Sequence, residues 1–309
     1  MAAIDVTDLH KHYGSNHAVD GVSFHVDQGE VYALLGENGA GKSTTVEILE
    51  GHREPSSGAV SVLGVNPAKA DRKFRDRIGI VLQSSGVETE FTVREVIDLY
   101  SSAYSNPRSL DEVVGLTGLD EKVDERVGSL SGGQKRRVDL ALGIVGRPEM
   151  LFLDEPTTGF DPSARRKSWD LIEALIADGT TVLLTTHYLD EAEHLADRVG
   201  VLMQGRMVAE GAPAELINRL SGTIVSFDVP DSISLDAAAG TFAEVLGAQV
   251  SMSGRLIEVR VDQPTVAVHR LTGWAIEQSI ELEGLSVRRA SLEDVFLELT
   301  GEYGVGSGS

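Results

Sequence analysis

A glycine-rich turn, Gly36-Glu-Asn-Gly-Ala-Gly-Lys-Ser-Thr44, constrains the fold of this chain more than any other feature. It fits the pattern G-x-x-x-x-G-K-[ST] and joins the buried-strand pattern Val31–Gly36 to a helical stretch, Ser43–Leu49. Glycines let several backbone N–H groups point at phosphate oxygens, and the helix adds its positive N-terminus. Lys42 would reach the β- and γ-phosphates, and the Ser43 hydroxyl would ligate Mg²⁺. We therefore expect a nucleotide-binding α/β fold, with a purely structural glycine turn as the alternative.

A second candidate site lies where the apolar run Met150–Leu153 ends in Asp154 and Glu155. In a parallel sheet such a strand is buried on both faces, and its carboxyl end opens into the crevice where ligands bind. Asp154 would hold Mg²⁺ directly or through water, and Glu155 would act as a general base on the attacking water. Adjacent acids at a strand end are common, so this interpretation depends on the pairing with the phosphate turn.

Three single residues complete the candidate set. Gln83 follows the strand pattern Ile78–Leu82, and its amide could contact Mg²⁺ and the attacking water. His187 follows the strand pattern Thr181–Thr185, where an imidazole could donate to the γ-phosphate. Tyr13 could stack on a nucleotide base, although an ordinary core or surface tyrosine is a strong alternative. A lone Gln or His would otherwise indicate nothing beyond structure.

The composition argues against several classes of function. The chain carries 27 basic and 48 acidic side chains, a net charge of −21, which disfavours non-specific binding to nucleic acid or anionic lipid. It has no cysteine, which excludes disulfides, zinc-thiolate sites and a thiol nucleophile. No apolar run approaches the roughly 18 residues needed to span a bilayer, and the N-terminus does not resemble a signal peptide. We therefore expect a cytoplasmic location.

Hydrophobic periodicity divides the chain into two domains, at residues 1–220 and 221–303, followed by a flexible tail at 304–309. In the first, strand patterns alternate with helices, and a helical insertion at about 86–148 interrupts them. In the second, the order β-α-β-β-α-β is that of a ferredoxin-like α+β domain. Its predicted elements are Ile224–Val229, Leu235–Leu246, Ala248–Met252, Leu256–Val261, Pro264–Ile280, Leu285–Val287 and a final helix that opens at Ser291.

The segment Leu130-Ser-Gly-Gly-Gln134 opens a helix with bare N–H groups, which makes it a second possible phosphate cradle. With this segment, residues 1 to about 220 strongly resemble the ATP-binding cassette (ABC) transporter ATPases. LSGGQ is similar to the signature of that family, GENGAGKST to its Walker A motif and LFLDEP to its Walker B motif. The positions similar to the Q-, D-, H- and A-loops are Gln83, Asp161, His187 and Tyr13.

The resemblance implies a P-loop ABC ATPase core in which two cassettes sandwich two ATP molecules head to tail. Because no motif is degenerate, it implies a homodimer, which would act on a separate transmembrane permease at the inner face of the cell membrane. The implied catalytic residues are Lys42, Gln83, Glu155 and His187, and the implied Mg²⁺ ligands are Ser43, Gln83 and Asp154. The implied ATP contacts are Tyr13, Gly36, Asn38, Gly39, Gly41, Lys42, Ser43, Thr44, Ser131, Gly132, Gly133, Gln134 and Asp161.

Two further segments resemble particular subgroups of this family. Lys135–Leu142 and Ser291–Gly301 resemble the daunorubicin-resistance type of exporter ATPase, and the C-terminal domain is similar to regulatory domains of the A subfamily of ABC lipid exporters. Both imply efflux of a drug, antibiotic or lipid, although Lys135–Arg137 could equally be a solvated helix face. The alternative is a soluble ABC ATPase that acts on ribosomes or DNA. We disfavour it because there is one cassette, no long coiled coil and an acidic charge balance.

Overall fold

The computed structural model describes residues 2–82, 86–219 and 222–301, and the chain forms two compact units, Met1–Pro213 and Ala214–Ser309. The division lies a little before the boundary predicted at residue 220. The strands are β1 Ala2–Tyr13, β2 Asn16–Asp27, β3 Val31–Gly36, β4 Ser57–Val62, β5 Ile78–Val81, β6 Met150–Asp154, β7 Thr181–Thr185, β8 Arg198–Met203, β9 Arg206–Gly211, β10 Thr223–Asp228, β11 Val250–Ser253, β12 Leu256–Val261 and β13 Ser286–Arg289. The helices are α1 Lys42–Leu49, α2 Arg72–Arg75, α3 Val93–Ser101, α4 Leu110–Thr117, α5 Gly132–Ile144, α6 Pro162–Ala177, α7 Leu189–Leu195, α8 Pro213–Arg219, α9 Leu235–Leu246, α10 Pro264–Glu277 and α11 Leu292–Thr300.

The first unit is built on a six-stranded sheet of order β5-β6-β7-β3-β8-β9, parallel except for the antiparallel β8–β9 pair. The middle residues of its central strands are mainly apolar because both faces are covered. Leu34 and Phe152 point into one hydrophobic core, whereas Leu151 and Val182 point into another on the opposite face. The predicted strands near the phosphate turn therefore lie side by side, with their carboxyl ends along one edge of the sheet.

Three helices, α3, α4 and α5, form the predicted helical insertion. They share a hydrophobic core of their own, to which Val96, Val113 and Val138 contribute. α3 begins with a capping box: the Thr92 hydroxyl accepts from the Glu95 backbone, and the Glu95 carboxylate accepts from the Thr92 backbone. The α/β class with a helical insertion, predicted from periodicity, is confirmed.

A separate antiparallel sheet of order β2-β1-β4 was not predicted. β1 and β2 are each 12 residues long and pair with several register shifts. Ile4, Leu9 and Val22 from this sheet are buried in the same core as α1. The sheet thus packs on one side of the phosphate-loop helix.

The second unit has a four-stranded antiparallel sheet of order β11-β12-β10-β13. With α9 and α10 in the crossovers, this is the ferredoxin-like arrangement that the sequence predicts. Phe227, Phe242 and Leu271 are fully buried in its core, and the rings of Phe242 and Trp274 meet edge to face at 5.3 Å. Ser291, where the sequence predicts the final helix to open, is the N-cap of α11 and forms a capping box with Asp294. In the described ranges of both units, no helix is long and apolar enough to cross a membrane.

Candidate nucleotide-binding site

The turn between β3 and α1 takes a course that only glycine permits at two positions. Gly36 has φ 154° and Gly41 has φ 105°. A Cβ on Gly36 would lie 2.4 Å from the carbonyl oxygen of Leu202, and one on Gly41 would lie 2.4 Å from that of Ala18. Side chains essentially never tolerate such contacts, so the two glycines let the loop pass close to its neighbours. The loop is therefore a tight cradle, as the sequence predicts.

The Lys42 side chain folds back over this cradle. Its Nζ donates to the carbonyl oxygen of Gly36 at 2.5 Å and to that of Glu37 at 3.0 Å. Burial holds the pKa of this ammonium below its usual value, and the carboxylates of Glu155 and Asp154 oppose that shift. The loop thus holds a buried positive charge close to the two acids that end β6.

The N-terminus of α1 is open toward the cradle. Gly41 occupies the N-cap and supplies no side-chain hydrogen bond to the first turn. Asn38, Gly39 and Ser43 are exposed, and Thr44 is half-buried. Free backbone N–H groups and a hydroxyl therefore surround the loop, which is the donor set that phosphate binding requires.

The carboxylates at the end of β6 are held in different ways. Asp154 Oδ1 accepts a short hydrogen bond from the Thr185 hydroxyl on the neighbouring strand β7. Glu155 adopts a left-handed backbone, φ 48°, which is costly for a residue other than glycine, and its N–H donates to the Thr185 carbonyl at 2.9 Å. Backbone strain of this kind persists only where the surrounding structure holds the turn in place.

The structure places Glu155 and His187, two of the candidate site residues, next to each other. Nδ1 of His187 lies 3.2 Å from Glu155 Oε1, and the Thr158 hydroxyl donates to Glu155 Oε2 at 3.1 Å. The Glu155 side chain is 14% exposed, whereas that of His187 is 45% exposed. A largely buried carboxylate thus lies beside an accessible imidazole.

Arg136 is a site residue that the sequence analysis missed. It lies in the basic run Lys135–Arg137, for which a solvated face was one interpretation, yet it is 6% exposed. Burial lowers its pKa. The guanidinium donates to four backbone carbonyls around the carboxylate turn, those of Leu82, Asp154, Glu155 and Pro156.

This geometry joins α5 directly to the turn that carries Asp154 and Glu155. The sequence signal that could have revealed Arg136 is its position on α5. Val138 and Leu140 beside it are core residues, so part of that face cannot be solvated.

The signature segment forms the N-terminus of α5. The Ser131 hydroxyl accepts from the Gln134 backbone at 3.3 Å, and the Gln134 amide oxygen accepts from the Ser131 backbone at 2.9 Å. Ser131 and Gly132 are exposed. A methyl group on Gly133 would meet the Phe160 ring at 3.8 Å, so the segment lies against the loop that precedes α6.

Asp161 caps α6. Its Oδ1 accepts from the backbone of Ser163 at 2.9 Å and of Ala164 at 3.0 Å, and these bonds lower its pKa. Neither Ser131 nor Asp161 has a contact with Lys42 or Glu155 among the hydrogen bonds and ion pairs of the described residues. Tyr13 is likewise apart from them; its exposed ring has Lys11 Nζ and Arg53 Cζ each 5.3 Å from its centroid. Gln83 lies outside the described residues.

Comparisons with known proteins agree with this arrangement. Residues 19–158 match the family model described as ABC transporter, and residues 223–291 match that of the ABC transporter domain-containing protein-like C-terminal domain. The chain is 40% identical over 307 residues to the Nod factor export ATP-binding protein I of Burkholderia pseudomallei strain 1710b, covering 97% of this chain and 98% of that one. The protein of the same name from Rhizobium etli is 40% identical over 309 residues, covering 97% and 94%.

Solved structures give the same result for the first unit. A structure described as the ATP binding subunit of an ABC transporter aligns with a TM-score of 0.65 and 30% identity, covering 71% of this chain and 92% of that one. The dimeric ATP-binding cassette MJ0796 bound to ADP and Pi aligns with a TM-score of 0.62 and 25% identity, covering 68% and 98%.

The fold and the loop define a P-loop nucleotide-binding protein built as an ATP-binding cassette. Nearly full-length identity of 40% to two export ATP-binding proteins extends the likeness through the C-terminal unit. The chain belongs to the ABC transporter family as an ATP-binding subunit, and it is an ATPase.

Proposed function

We propose that this chain is the ATP-hydrolysing subunit of an ABC exporter and drives efflux through a separate transmembrane permease at the inner face of the cell membrane. The main observation in support of ATP hydrolysis is that Lys42, Glu155 and His187 lie close together at the carboxyl edge of the sheet. Export is supported by the names of relatives that are 40% identical over 97% of the chain.

The residues of the loop fit ATP and Mg²⁺. The uncapped N-terminus of α1 offers its N–H groups to phosphate, and Lys42 would exchange its two carbonyl partners for the β- and γ-phosphate oxygens. Ser43 and Asp154 would hold Mg²⁺, with Gln83 as the third expected ligand. The bound cation would supply neutralisation of the phosphate charge. Asn38, Gly39 and Thr44 would add contacts to the phosphates, and Tyr13 would stack on the base.

Glu155 is the general base in this proposal, because its carboxylate is largely buried and ends the strand beside Asp154. The closeness of His187 Nδ1 to Glu155 Oε1, 3.2 Å, has a consequence for the imidazole. If Nδ1 donates to an ionised Glu155, the neutral ring presents Nε2 only as an acceptor. In that tautomer His187 can donate to the γ-phosphate through Nε2 only when the ring is doubly protonated.

Ser131, Gly132, Gly133, Gln134 and Asp161 act across a dimer interface in this proposal. Their segments make contacts with each other rather than with the phosphate loop of their own chain. Two identical copies, head to tail, would place the signature of each against the nucleotide of the other by twofold symmetry. Dimeric cassettes among the similar structures support this arrangement.

The transported compound belongs to the class of drugs, antibiotics or lipids in this proposal, as the resemblance of the Lys135–Leu142 segment to daunorubicin-resistance exporters implies. The relatives are named for export of Nod factor. Those names speak against the alternative of a soluble cassette that acts on ribosomes or DNA. Reconstitution of the chain with its co-purified permease in vesicles, followed by ATP-dependent movement of candidate compounds, tests this assignment.

Replacement of Glu155 by glutamine tests the hydrolytic role. The amide keeps the shape but cannot accept a proton, so we expect ATP binding to persist while kcat falls by about 10²–10⁴-fold. Steady-state phosphate release by the complex measures this loss, and Glu149→Gln, at the amino end of the same strand, is the control. Retention of more than about a tenth of the wild-type kcat would remove Glu155 from this role.

A pair of variants tests the dimer. Lys42→Ala removes a group from the chain's own nucleotide site, so affinity for ATP falls by at least about tenfold, or 1.4 kcal/mol. Ser131→Arg leaves nucleotide binding by the monomer intact and blocks ATP-dependent dimerisation. Fluorescent-nucleotide titration and light scattering separate the two effects. Equal losses of affinity in both variants would contradict the assignment of Ser131 to the opposite site.

A further inference from the structure

A cavity of about 320 Å³ lies in the first unit between α4, α5 and α6. This volume is at the lower end of the roughly 300–1,000 Å³ that small-molecule sites occupy. One side of its wall is apolar, from Leu116, Leu140 and Leu171. None of the residues placed at the nucleotide site lines it.

The polar side of the cavity carries two cations, Arg137 and Lys167. The charge of Arg137 contributes to lowering the pKa of Asp161, which does not line the cavity. Arg137 donates only a long hydrogen bond, 3.4 Å, to the carbonyl of Gly118, and neither Arg137 nor Lys167 forms an ion pair with a described residue. This is unexpected in a chain with 48 acidic and 27 basic side chains, where carboxylates are abundant. Asp170 also lines the cavity and pairs with neither cation. The lining therefore has a net positive charge in a strongly acidic protein.

Ser168 gives a second, independent observation. It lines the cavity, is only 3% exposed, and its hydroxyl has no hydrogen-bond partner among residues 2–82, 86–219 and 222–301. The hydroxyl oxygen itself is accessible from the cavity, so it is available to donate to a ligand held there. A hydroxyl donor beside two cations is the chemistry that recognises an oxyanion.

We propose that this cavity binds a small organic anion, through a carboxylate or a phosphate monoester, with a short apolar body. The Arg137 guanidinium matches a planar carboxylate or phosphate edge with paired donors, and Lys167 adds a point charge. Ser168 donates to the same group, and the leucine side of the cavity contacts the apolar part. The basic run that follows the signature segment thus has two different tasks: Arg136 anchors the carboxylate turn, and Arg137 faces the cavity.

The position of the cavity would allow a bound ligand to change ATPase activity. α4 and α5 belong to the helical insertion, whereas α6 packs on the sheet with Leu171 and Leu175 in its core. α5 begins after Ser131, and α6 begins after Asp161. An anion held between these helices would fix the insertion against the sheet, and would change ATPase activity through the two segments proposed to cross the dimer interface. Binding itself does not depend on that proposed function.

The test measures the melting temperature of the full chain, with saturating ADP and Mg²⁺ so that the phosphate loop is filled. Inorganic phosphate and succinate are the probes, each compared with sodium chloride at equal ionic strength. A ligand present at tenfold its Kd stabilises the folded chain by mass action, so we expect the melting temperature to rise by several degrees with at least one probe. No rise beyond that in chloride, for either probe, would overturn the proposal.

Variants locate the binding. Arg137→Gln with Lys167→Gln abolishes the rise, and Ser168→Ala weakens binding several-fold. The matched control is Lys135→Gln with Arg166→Gln, which removes the same charge from the same two helices outside the cavity and keeps the rise. An undiminished rise in the Arg137/Lys167 variant would mean that these side chains only form a solvated helix face. An equal loss in the control would mean that the rise is a general charge effect. Either result would overturn the proposal. If the double variant does not fold, Lys167→Gln alone and Ser168→Ala give the same comparison.

Discussion

At the scale of single residues, Glu50 is the most unusual ionisable group of the phosphate-loop helix. It follows α1, its side chain is 2% exposed, and its Oε2 lies 3.2 Å from His52 Nδ1. Burial, together with the carboxylates of Asp154 and Glu47, raises the pKa of Glu50 from 4.5 to about 8. At neutral pH the folded chain therefore holds a proton on Glu50 that the unfolded chain releases.

This proton makes stability depend on pH in a defined direction. Below about pH 4.5 both states are protonated and Glu50 has no effect. Between pH 4.5 and about 8 the unfolded chain ionises while the folded chain does not, so stability falls as pH rises. Glu50→Gln removes this titration. We expect its melting temperature to equal that of the wild type near pH 5 and to exceed it by several degrees at pH 8, in nucleotide-free protein.

The exposed Asp98 on α3 gives the control for this experiment, because Asp98→Asn removes a carboxylate that faces solvent. A gain from Glu50→Gln that is the same at pH 5 and pH 8 would mean that the wild-type residue does not titrate in this range. Calorimetric melting at the two pH values is sufficient, since each kcal/mol corresponds to about 2–4 °C in a domain of this size.

At the scale of elements, the strands and helices that the sequence predicted best are those determined by a local hydrophobic pattern. β3, α1 and β7 lie where the apolar runs place them, because a strand buried on both faces is apolar without interruption. β1 and β2 were not predicted. They pair with each other as a hairpin, but their register shifts break the alternation, and the other partner of β1, β4, is distant in sequence. Arg136 was missed for a related reason: its four carbonyl partners come from segments 18 to 54 residues away.

α5 links the proposed signature site to the carboxylate turn, and Arg136 is the link that can be tested. Its guanidinium satisfies four carbonyls at once, which the ammonium of lysine cannot do with its three donors. We expect Arg136→Lys to keep ATP binding within about threefold, or about 0.7 kcal/mol. We expect it to lower kcat by about tenfold, or about 1.4 kcal/mol, because Glu155 loses the anchor of its strained backbone.

Lys135→Arg on the same helix is the matched control, because it keeps the charge at a site outside the carbonyl cluster. Steady-state phosphate release and nucleotide titration measure both variants. If Arg136→Lys hydrolyses ATP at the wild-type rate, the guanidinium only stabilises the fold and does not position the carboxylate turn.

At the scale of the whole molecule, the two units have separate cores and sheets. The core of the second unit is formed by its own residues, among them Phe227, Phe242 and Leu271. Its Arg288 forms a bidentate ion pair with Asp294 at 2.6 and 2.9 Å, which ties α11 to β13. Every residue proposed for the nucleotide site belongs to the first unit. We therefore propose that residues 221–303 serve assembly or regulation rather than chemistry.

Truncation after residue 220 tests this division. The first unit keeps its phosphate loop, carboxylate turn and signature helix, so we expect its ATP affinity to stay within about threefold of the full chain, less than about 0.7 kcal/mol. Without the second unit, we expect weaker ATP-dependent dimers or weaker coupling to the permease. Nucleotide titration and light scattering in the Glu155→Gln background measure these effects, and the full-length Glu155→Gln chain is the control. A truncated chain that folds, as judged by circular dichroism, yet fails to bind ATP would place the second unit within the nucleotide site, because no other part of the chain has been removed.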